Sequence, residues 1–394
     1  MSTRTLHIFN PEHDLALAAG LSNFTSPHAG RQLRHDLGFL PALWARKGDV
    51  VLADDPKQAE TAWRKTVNTL RRLGKTALCT DNVTFVSPSD LIKMGTLTAI
   101  DPWGWDTALR AMLLRKGVNE ELMPTDAQLA DIRTLSHRSE AAWLLSRLLQ
   151  HKASTATISD GKSSLNTLLT GEVYECTTIA EAEELLGKYG AIVMKAPWSS
   201  SGRGLRFLNT PAAISNTLLE GWFNHLVAAQ GSVMVEPYYH KVKDLGMEFY
   251  SDGAGHVEYI GLSLFHTENG AYIGNLIATE SAKRESLSRL IPVGLLDSVQ
   301  AIIAIEMGQR LKGRYRGPFG VDMMVVKQDE CLLHPCVEIN LRRTMGHVAL
   351  SLNALINPSD DDDIRRAMRI SYASTRMASD KSINKIYKLS FSTL

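Results

Sequence analysis

The sequence has few cysteines and no long apolar run. Its four cysteines in 394 residues are too few and too scattered for a disulfide framework. Nowhere do about 18 apolar residues follow one another, as a membrane-spanning helix would require. Charged residues also interrupt the apolar stretch that a signal peptide would need near the N-terminus. We therefore expect a cytoplasmic protein that does not enter a membrane.

The sequence also has almost no net charge. Its 43 Lys and Arg residues against 42 Asp and Glu give a formal net charge of +1. Such a chain has no general attraction for phosphate backbones, so we do not expect a nucleic-acid-binding protein. One segment, CLLHPC, contains two cysteines around His334. Its spacing differs from zinc-binding patterns and it lies within an apolar run, so we interpret it as a strand.

What the sequence does have is the length and composition of a globular protein with more than one core. Its 394 residues exceed the roughly 250–300 residues at which single cores stop growing. Strands and helices alternate at first, with strands predicted over residues 5–9 and 49–53 and helices over 31–45 and 56–73. This alternation is typical of a parallel α/β domain. A helical stretch from residue 103 to about 150 follows, and we place the domain boundary within it.

The remaining pattern predicts an α+β region with sheets built largely from hairpins. Its strands are predicted at GEVYEC, AIVMKA, LRFL, SVMVEPY, MEFYS, HVEYIGLSLF, AYIGNLIA, FGVDMMVV and CLLHPCVEINL. Its helices are predicted over residues 179–188, 214–227 and 295–311.

A lysine interrupts the apolar strand AIVMKA, and a loop rich in serine and glycine follows it. A buried lysine costs on the order of several kcal/mol unless it meets an anion or lines a polar cleft. Backbone N–H groups and hydroxyls of the loop can surround a phosphate, and Arg203 adds a positive charge. The loop is not a Walker loop, because the strand LRFL follows it instead of a helix. From the residues alone, a phosphate-binding hairpin and an ordinary solvated turn both stay open.

Oxygen ligands occur on two neighbouring strands further along the chain. Strand alternation places Glu338 and Asn340 on one face, and Arg342 continues that face if the strand persists. Asp322 lies near the middle of the preceding strand, and the short KQDE turn makes the two strands antiparallel neighbours. Two carboxylates and an amide are suitable ligands for Mg²⁺. The alternative is that Asp322 and Glu338 face solvent from a one-sided sheet.

These motifs, taken in order, resemble those of ATP-grasp proteins. VMKAP with SSSGRG resembles the phosphate lysine and glycine-rich loop of that family, and MVEPY resembles its adenine-binding hinge. DLGMEF resembles its ribose-binding region, and GVDMMVV with VEINLR resembles its paired metal strands. The resemblance implies an ATP-grasp fold, of class α/β plus α+β. It implies a pre-ATP-grasp parallel α/β domain over residues 1–130, an ATP-grasp domain over 131–370 and a C-terminal tail over 371–394.

The resemblance also implies where nucleotide and metal bind. Lys195 would contact the α- or β-phosphate, and the loop would close over the β- and γ-phosphates through Ser200, Ser201, Gly202, Arg203 and Gly204. Glu236 and Tyr238 would lie at the adenine. Asp244 would meet the ribose, with Glu248 as a competitor for that role. The cofactors implied are ATP and Mg²⁺, with Mn²⁺ as an alternative, and the metal ligands would be Asp322, Glu338 and Asn340.

Catalysis would fall to cationic side chains. The resemblance implies that Arg342 faces the transferred γ-phosphate, and it makes Lys195, Arg203 and Arg342 the catalytic candidates. ATP-grasp proteins usually have a further lysine on or near the helix before this domain's first strand. Here that region offers Arg138, which can also bind phosphate.

A second group of polar residues follows the first predicted strand. Asn10, Glu12, His13 and Asp14 lie after its carboxyl end, where open α/β sheets bind ligands. They could instead cap a helix. The resemblance favours substrate binding, because many ATP-grasp proteins have an N-terminal domain that contributes to the substrate site.

The resemblance implies an ATP- and Mg²⁺-dependent ligase. Such an enzyme converts a small carboxylate into an acylphosphate, which an amine or sometimes a thiol attacks. Two alternatives stay open: an ATP-grasp kinase that transfers phosphate to a hydroxyl, and a non-catalytic regulatory protein that binds nucleotide. The acid, the amine and the oligomeric state are not identified, and a homodimer is one option considered.

Overall fold

The computed structural model describes residues 4–73, 83–94, 97–151, 168–199, 204–210, 217–268, 271–357, 365–376 and 383–393. The chain divides into two compact units. The first consists of Met1–Ile132, Ile273–Lys283 and Arg342–Leu394, and the second of Arg133–Tyr272 and Arg284–Leu341.

The described strands and helices follow in chain order. The strands are β1 (Thr5–Ile8), β2 (Val50–Leu52), β3 (Thr84–Val86), β4 (Ala99–Pro102), β5 (Tyr174–Cys176), β6 (Ile192–Lys195), β7 (Leu205–Leu208), β8 (Val233–Pro237), β9 (Lys241–Ser251), β10 (Val257–Glu268), β11 (Ala271–Ile277), β12 (Gly317–Lys327), β13 (Cys331–Asn340), β14 (Arg366–Arg376) and β15 (Ile383–Thr393). The α-helices are α1 (His13–Ala19), α2 (His28–Leu37), α3 (Pro56–Leu73), α4 (Thr107–Arg115), α5 (Asp126–Leu135), α6 (Arg138–Gln150), α7 (Ile179–Tyr189), α8 (Thr217–Gln230), α9 (Glu280–Ser288), α10 (Val293–Leu311) and α11 (Met345–Ile356).

The first unit contains the parallel sheet that the sequence predicts. Its strands lie in the order β3-β2-β1-β4, and each neighbouring pair is parallel. Helix α3 has the predicted bounds. Pro56 occupies its first position, where the missing N–H costs nothing, and Asp55 accepts hydrogen bonds from the next two N–H groups. Trp63, Val67 and Leu70 recur at helical spacing and are buried.

The first unit also contains residues from the far end of the chain. Strands β14 and β15 pair antiparallel, and residues 274–277 of β11 pair with β14. Trp63, Val348, Leu352 and Met368 belong to one buried cluster.

The second unit contains two antiparallel arrangements of strands. One has the order β5-β8-β6-β7, and the other has the order β13-β12-β9-β10. Helices α7 and α8 bury Leu186 and Phe223 against the first of these sheets. The predicted hairpins are therefore present, including the return of LRFL as β7.

Two features differ from the sequence-based expectations. The helix predicted over 31–45 is instead α2 followed by a 3-10 turn at Leu40–Leu43, because Pro41 lacks an N–H group and breaks the helical hydrogen bonding. The segment predicted as a tail contains β15 and part of β14. The division into units likewise assigns residues 342–394 to the first unit, since their strands and buried side chains pack there.

Among the described residues, no single helix is both long and apolar enough to cross a membrane. The bent pair α9 and α10 meets that requirement only when the two helices are taken together.

Candidate active site

Lys195 and Glu236 form a buried ion pair in the second unit. Strand β6 pairs with β8, with Val193 opposite Glu236 and Lys195 opposite Met234, so the lysine and the glutamate project from the same face. The Lys195 Nζ lies 2.6 Å from both carboxylate oxygens of Glu236. Lys195 is 7% exposed and Glu236 is 4% exposed. The anion that the buried lysine needs is therefore present within the protein itself.

Arg138 connects β6 with the predicted metal strands. Its Nε donates to the carbonyl of Ala196 at 3.0 Å, and its Nη2 donates to the Ser199 hydroxyl at 3.2 Å. The same Nη2 lies 2.9 Å from Glu338 Oε1. The arginine is the first residue of α6, and its backbone N–H donates to the Pro197 carbonyl at 3.2 Å. It thus holds the segment that leads into the glycine-rich loop and contacts β13 at the same time.

Trp198 anchors the same segment and was not predicted from the sequence. Its ring lies 4.5 Å from the ring of His137 and 4.1 Å from the guanidinium of Arg133. Its indole N–H donates to the Arg133 carbonyl at 3.0 Å. In the sequence, only the large size of Trp198 beside the serines could indicate that it anchors this segment.

The far side of the glycine-rich loop rejoins the sheet at Gly204. The Gly204 carbonyl accepts from the Ala196 N–H at 3.0 Å. Gly204 has φ of 77°, a left-handed conformation that favours glycine. The predicted phosphate-binding residues Ser200, Ser201, Gly202 and Arg203 lie outside the described residues.

The predicted metal ligands are brought together on β12 and β13. Asp322 lies directly opposite Glu338, and the Asn340 amide donates to Asp322 Oδ2 at 2.9 Å. Like charges directly opposite one another on neighbouring strands repel, so a cation at this position would stabilise the pair. Of these two carboxylates, Glu338 is the one for which a contact with Arg138 is described.

The donor set suits a hard cation. Among the residues that the structure describes, no three His, Cys, Asp or Glu side chains form a metal-binding group. The candidate set differs from such a group because its third ligand is the amide of Asn340. Such oxygens are the ligands that Mg²⁺ prefers. The Asn340 amide would have to turn its oxygen toward the ion, because its nitrogen now faces Asp322.

Glu248 lies on β9 beside the metal strands. Asp322 is opposite Gly246 on that strand. A Cβ atom at Gly246 would lie 3.4 Å from Asp322 Oδ1 and 3.5 Å from Glu248 Oε1, so both carboxylates lie around this glycine. Glu248 is buried and accepts from the Ser263 hydroxyl at 2.9 Å. Asp244, the other ribose candidate, accepts from Lys241 Nζ at 2.6 Å and from the Thr267 hydroxyl at 2.7 Å.

The predicted adenine hinge carries an exposed tyrosine and borders a buried histidine. Tyr238 is about half exposed, and its ring packs edge-on against Phe207 at 6.1 Å. His334 is fully buried, and its ring nitrogens have no partner among the described residues. The His334 pKa is lowered to about 4, chiefly by burial and also by the nearby Lys195 charge, although the Glu236 charge acts in the opposite direction. The sequence pattern predicts only that His334 lies in a strand, because its neighbours in CLLHPC are largely apolar.

Arg342 belongs to the first unit and faces Asp14. Strand β13 ends at Asn340, so the strand alternation used to orient Arg342 does not reach it, and that part of the expectation is wrong. The Arg342 guanidinium is bidentate to Asp14, with Nε 2.9 Å from Oδ1 and Nη2 2.7 Å from Oδ2. Two predicted site residues from opposite ends of the sequence are therefore paired.

The other polar residues after β1 do not cap α1. Glu12 occupies the N-cap position but makes no capping hydrogen bond through its side chain. Asn10 and His13 contact Asp106 instead, at 3.2 and 3.3 Å. In the sequence, the only signal for Asp106 is its position before the apolar helix α4.

Similarity to known proteins is found at the level of structure. A scan against models of protein families finds no match, and neither does a search of curated proteins. The chain is similar to biotin carboxylase from Campylobacter jejuni, solved with β,γ-ATP, at 13% identity and a TM-score of 0.50, over 95% of this chain and 77% of that one. It is also similar to the biotin carboxylase domain of 2-oxoglutarate carboxylase from Hydrogenobacter thermophilus, solved with MgADP, ADP and bicarbonate. That identity is 11%, with a TM-score of 0.50, over 99% of this chain and 85% of that one. At these identities the similarity concerns the fold.

Proposed function

We propose that this chain, which has the predicted ATP-grasp fold, is an ATP- and Mg²⁺-dependent ligase that joins a carboxylate to an amine. One observation supports this above the others. Arg138 contacts both the segment before the glycine-rich loop and Glu338 of the candidate metal strands. A guanidinium between a phosphate loop and a metal site is suited to a triphosphate, whose charge needs cationic partners on both sides.

Lys195 and Glu236 would change partners when nucleotide binds. Phosphoryl transfer depends chiefly on positioning and on neutralising charge. Lys195 would turn from Glu236 toward a phosphate oxygen, which would free the Glu236 carboxylate to accept from the adenine amino group. Tyr238 would hold the base through its backbone, and Glu248 or Asp244 would accept from the ribose hydroxyls.

Asp322, Glu338 and Asn340 would hold the metal. Magnesium bound there would neutralise phosphate charge, and Mn²⁺ has a similar preference for oxygen ligands. Without a cation, the carboxylates would repel the phosphates of ATP. Bound metal would remove this repulsion, so ATP binding and metal binding would favour each other.

The proposed reaction has two steps and needs no protein nucleophile. First, a carboxylate oxygen of the substrate attacks the γ-phosphorus, the bond to the ADP oxygen breaks, and acylphosphate and ADP form. Second, the amine nitrogen attacks the acyl carbon, the bond to the phosphate oxygen breaks, and the nitrogen loses a proton. The products are an amide and inorganic phosphate.

The test is a screen for ADP release followed by trapping. Amino acids and small carboxylic acids are offered with ATP and Mg²⁺, and an acid that stimulates ADP release is then incubated with hydroxylamine. A hydroxamate that forms with wild-type protein and not with Glu338→Gln supports the ligase. Phosphate transferred stably to a hydroxyl, without hydroxamate from any acid, would indicate a kinase. Tight ATP binding without turnover on any substrate would indicate a regulatory protein.

A further inference from the structure

The first unit has a polar cluster where β1 and β4 end. The strand order is β3-β2-β1-β4, so the chain proceeds from β1 outward to β3 and then returns to the other side of β1. In open parallel sheets, ligands bind at the carboxyl ends of the strands, at the point where the strand order reverses. Here that point lies between β1 and β4, and Asn10, Glu12, His13 and Asp106 follow these two strands.

Hydrogen bonds join the two segments that leave the sheet. The Asn10 amide donates to the Gly104 carbonyl at 2.8 Å and to Asp106 Oδ2 at 3.2 Å. The His13 Nδ1 lies 3.3 Å from the same Oδ2, and the Leu109 N–H donates to Asp106 Oδ1 at 2.9 Å. An ionised carboxylate only accepts, so Nδ1 of His13 carries the proton. In the neutral ring, Nε2 is then an acceptor.

Two acceptor atoms of this cluster are buried without a partner. His13 Nε2 and Glu12 Oε2 make no hydrogen bond within the described part of the chain, although His13 is only 1% exposed and Glu12 only 7%. The other oxygen of Glu12 is paired with Arg34, which also contacts Asp54 at 3.0 Å. Buried polar atoms normally have partners, so two on consecutive residues require an explanation.

Gly104 is adapted to the position of the His13 ring. A Cβ atom at residue 104 would lie 2.6–2.7 Å from three atoms of that ring, including Nε2. Any other residue would therefore displace the imidazole. The imidazole is thus fixed by Asp106 on one side and by a close backbone approach on the other.

The charge around the cluster is predominantly negative. Burial raises the pKa of Glu12, and the Asp106 and Asp54 charges add to this, while Arg34 opposes it. Glu12 and Asp54 thus share the Arg34 guanidinium, and Asp106 is a further negative charge close enough to Glu12 to act on it. Two free acceptors in such a field suit a positively charged hydrogen-bond donor and disfavour an anion.

We propose that Glu12 and His13 form a binding site for a protonated primary amine, with Glu12 Oε2 and His13 Nε2 accepting hydrogen bonds from its ammonium group. This binding site is argued from the first unit alone and does not rest on the proposed function.

The site is tested by titrating the full chain with ammonium chloride, methylamine, ethanolamine and glycine in a calorimeter. Each titration is run with and without Mg²⁺ and a non-hydrolysable ATP analogue. Tetramethylammonium has the charge without the N–H donors and serves as the ligand control. We expect at least one primary amine to bind one per chain and tetramethylammonium not to bind.

Glu12→Gln keeps the shape of the side chain but removes its charge. We expect it to weaken amine binding by about tenfold or more, the scale of a lost hydrogen bond to a charged group. Glu60→Gln is the matched control, because Glu60 is exposed on α3, away from the polar cluster in sequence, and pairs with Arg64 one helical turn away. Thermal unfolding of both variants establishes that they are folded.

Three results would overturn the proposed amine site. The first is that no amine binds, with or without Mg²⁺ and the ATP analogue. The second is that Glu12→Gln and wild type bind amines equally. The third is a crystal structure grown with the amines in which only a water contacts Glu12 Oε2 and His13 Nε2. Failure of the proposed function is distinguishable. Amine binding in a protein that forms no acylphosphate would keep the site and reject the ligase. Acylphosphate formation in a protein that binds no amine would do the reverse.

Discussion

Replacing Lys195 by methionine is expected to destabilise the ligand-free protein as well as to weaken ATP binding. The lysine lies 2.6 Å from Glu236, and both side chains are buried. Methionine has a similar length but leaves the Glu236 charge without its partner. Removing one member of a buried ion pair typically costs about 3–5 kcal/mol, a large share of the roughly 5–15 kcal/mol by which domains are stable.

The double variant Lys195→Met/Glu236→Gln separates stability from ligand binding. It removes both charges, so we expect it to recover most of the stability that the single variant loses. Urea unfolding of the ligand-free proteins measures the free energies. ATP titration of the double variant and of Glu236→Gln alone then isolates the contribution of the lysine to nucleotide affinity.

Two outcomes would refute this reasoning in different places. A Lys195→Met protein as stable as wild type would mean that the pair is not buried as described. A stable double variant with wild-type ATP affinity would remove both residues from the nucleotide site, whatever the stability data show.

Three further predictions concern the metal, the phosphoryl group and pH. Glu338→Gln should abolish Mg²⁺-dependent ADP release but keep most of the nucleotide affinity. Mg²⁺ titrations of ADP release and of nucleotide binding measure the two effects. Arg342→Lys keeps the charge but loses the planar fork of donors, so if this arginine faces the transferred phosphoryl group, as the resemblance implies, turnover should fall by roughly 10²-fold, the scale of a lost transition-state donor, with ATP affinity nearly unchanged. Burial acts to raise the pKa of Asp101, but His7 and Arg343 outweigh it and hold this pKa below its ordinary value. Their stabilisation is therefore present above the unfolded pKa of about 3.9 and is lost as pH falls through the folded pKa, so in urea unfolding Asp101→Asn should lose less stability on acidification than wild type.

Each of these has its own control. Mg²⁺-dependent turnover that survives in Glu338→Gln would exclude the paired-strand metal site. Asp14→Asn is the control for Arg342, because it removes the same ion pair from the other side; an equal loss in both variants would assign the effect to the pair and not to the guanidinium alone. Acid sensitivity in Asp101→Asn equal to that of wild type would mean that this carboxyl does not contribute.

Local elements could be predicted where one periodicity dominates. Helix α3 has the predicted bounds, and the KQDE turn correctly places Asp322 opposite Glu338. The helix predicted over 31–45 extended too far because its apolar spacing continues through Pro41. The sequence does not predict strand β15, because this strand joins a sheet only through its pairing with β14.

The sequence by itself determined the order of the motifs that resemble those of ATP-grasp proteins, and it predicted the parallel sheet and the hairpins, because strand and helix periods and the residues at turns are local properties of the chain. It also indicated that Lys195 needs an anion. Only the tertiary structure decided that this anion is Glu236, that Arg138 meets Glu338, and that Arg342 meets Asp14, which is 328 residues away in the chain. Ion pairs between such distant residues depend on how the elements pack, and no periodicity in the sequence encodes that packing.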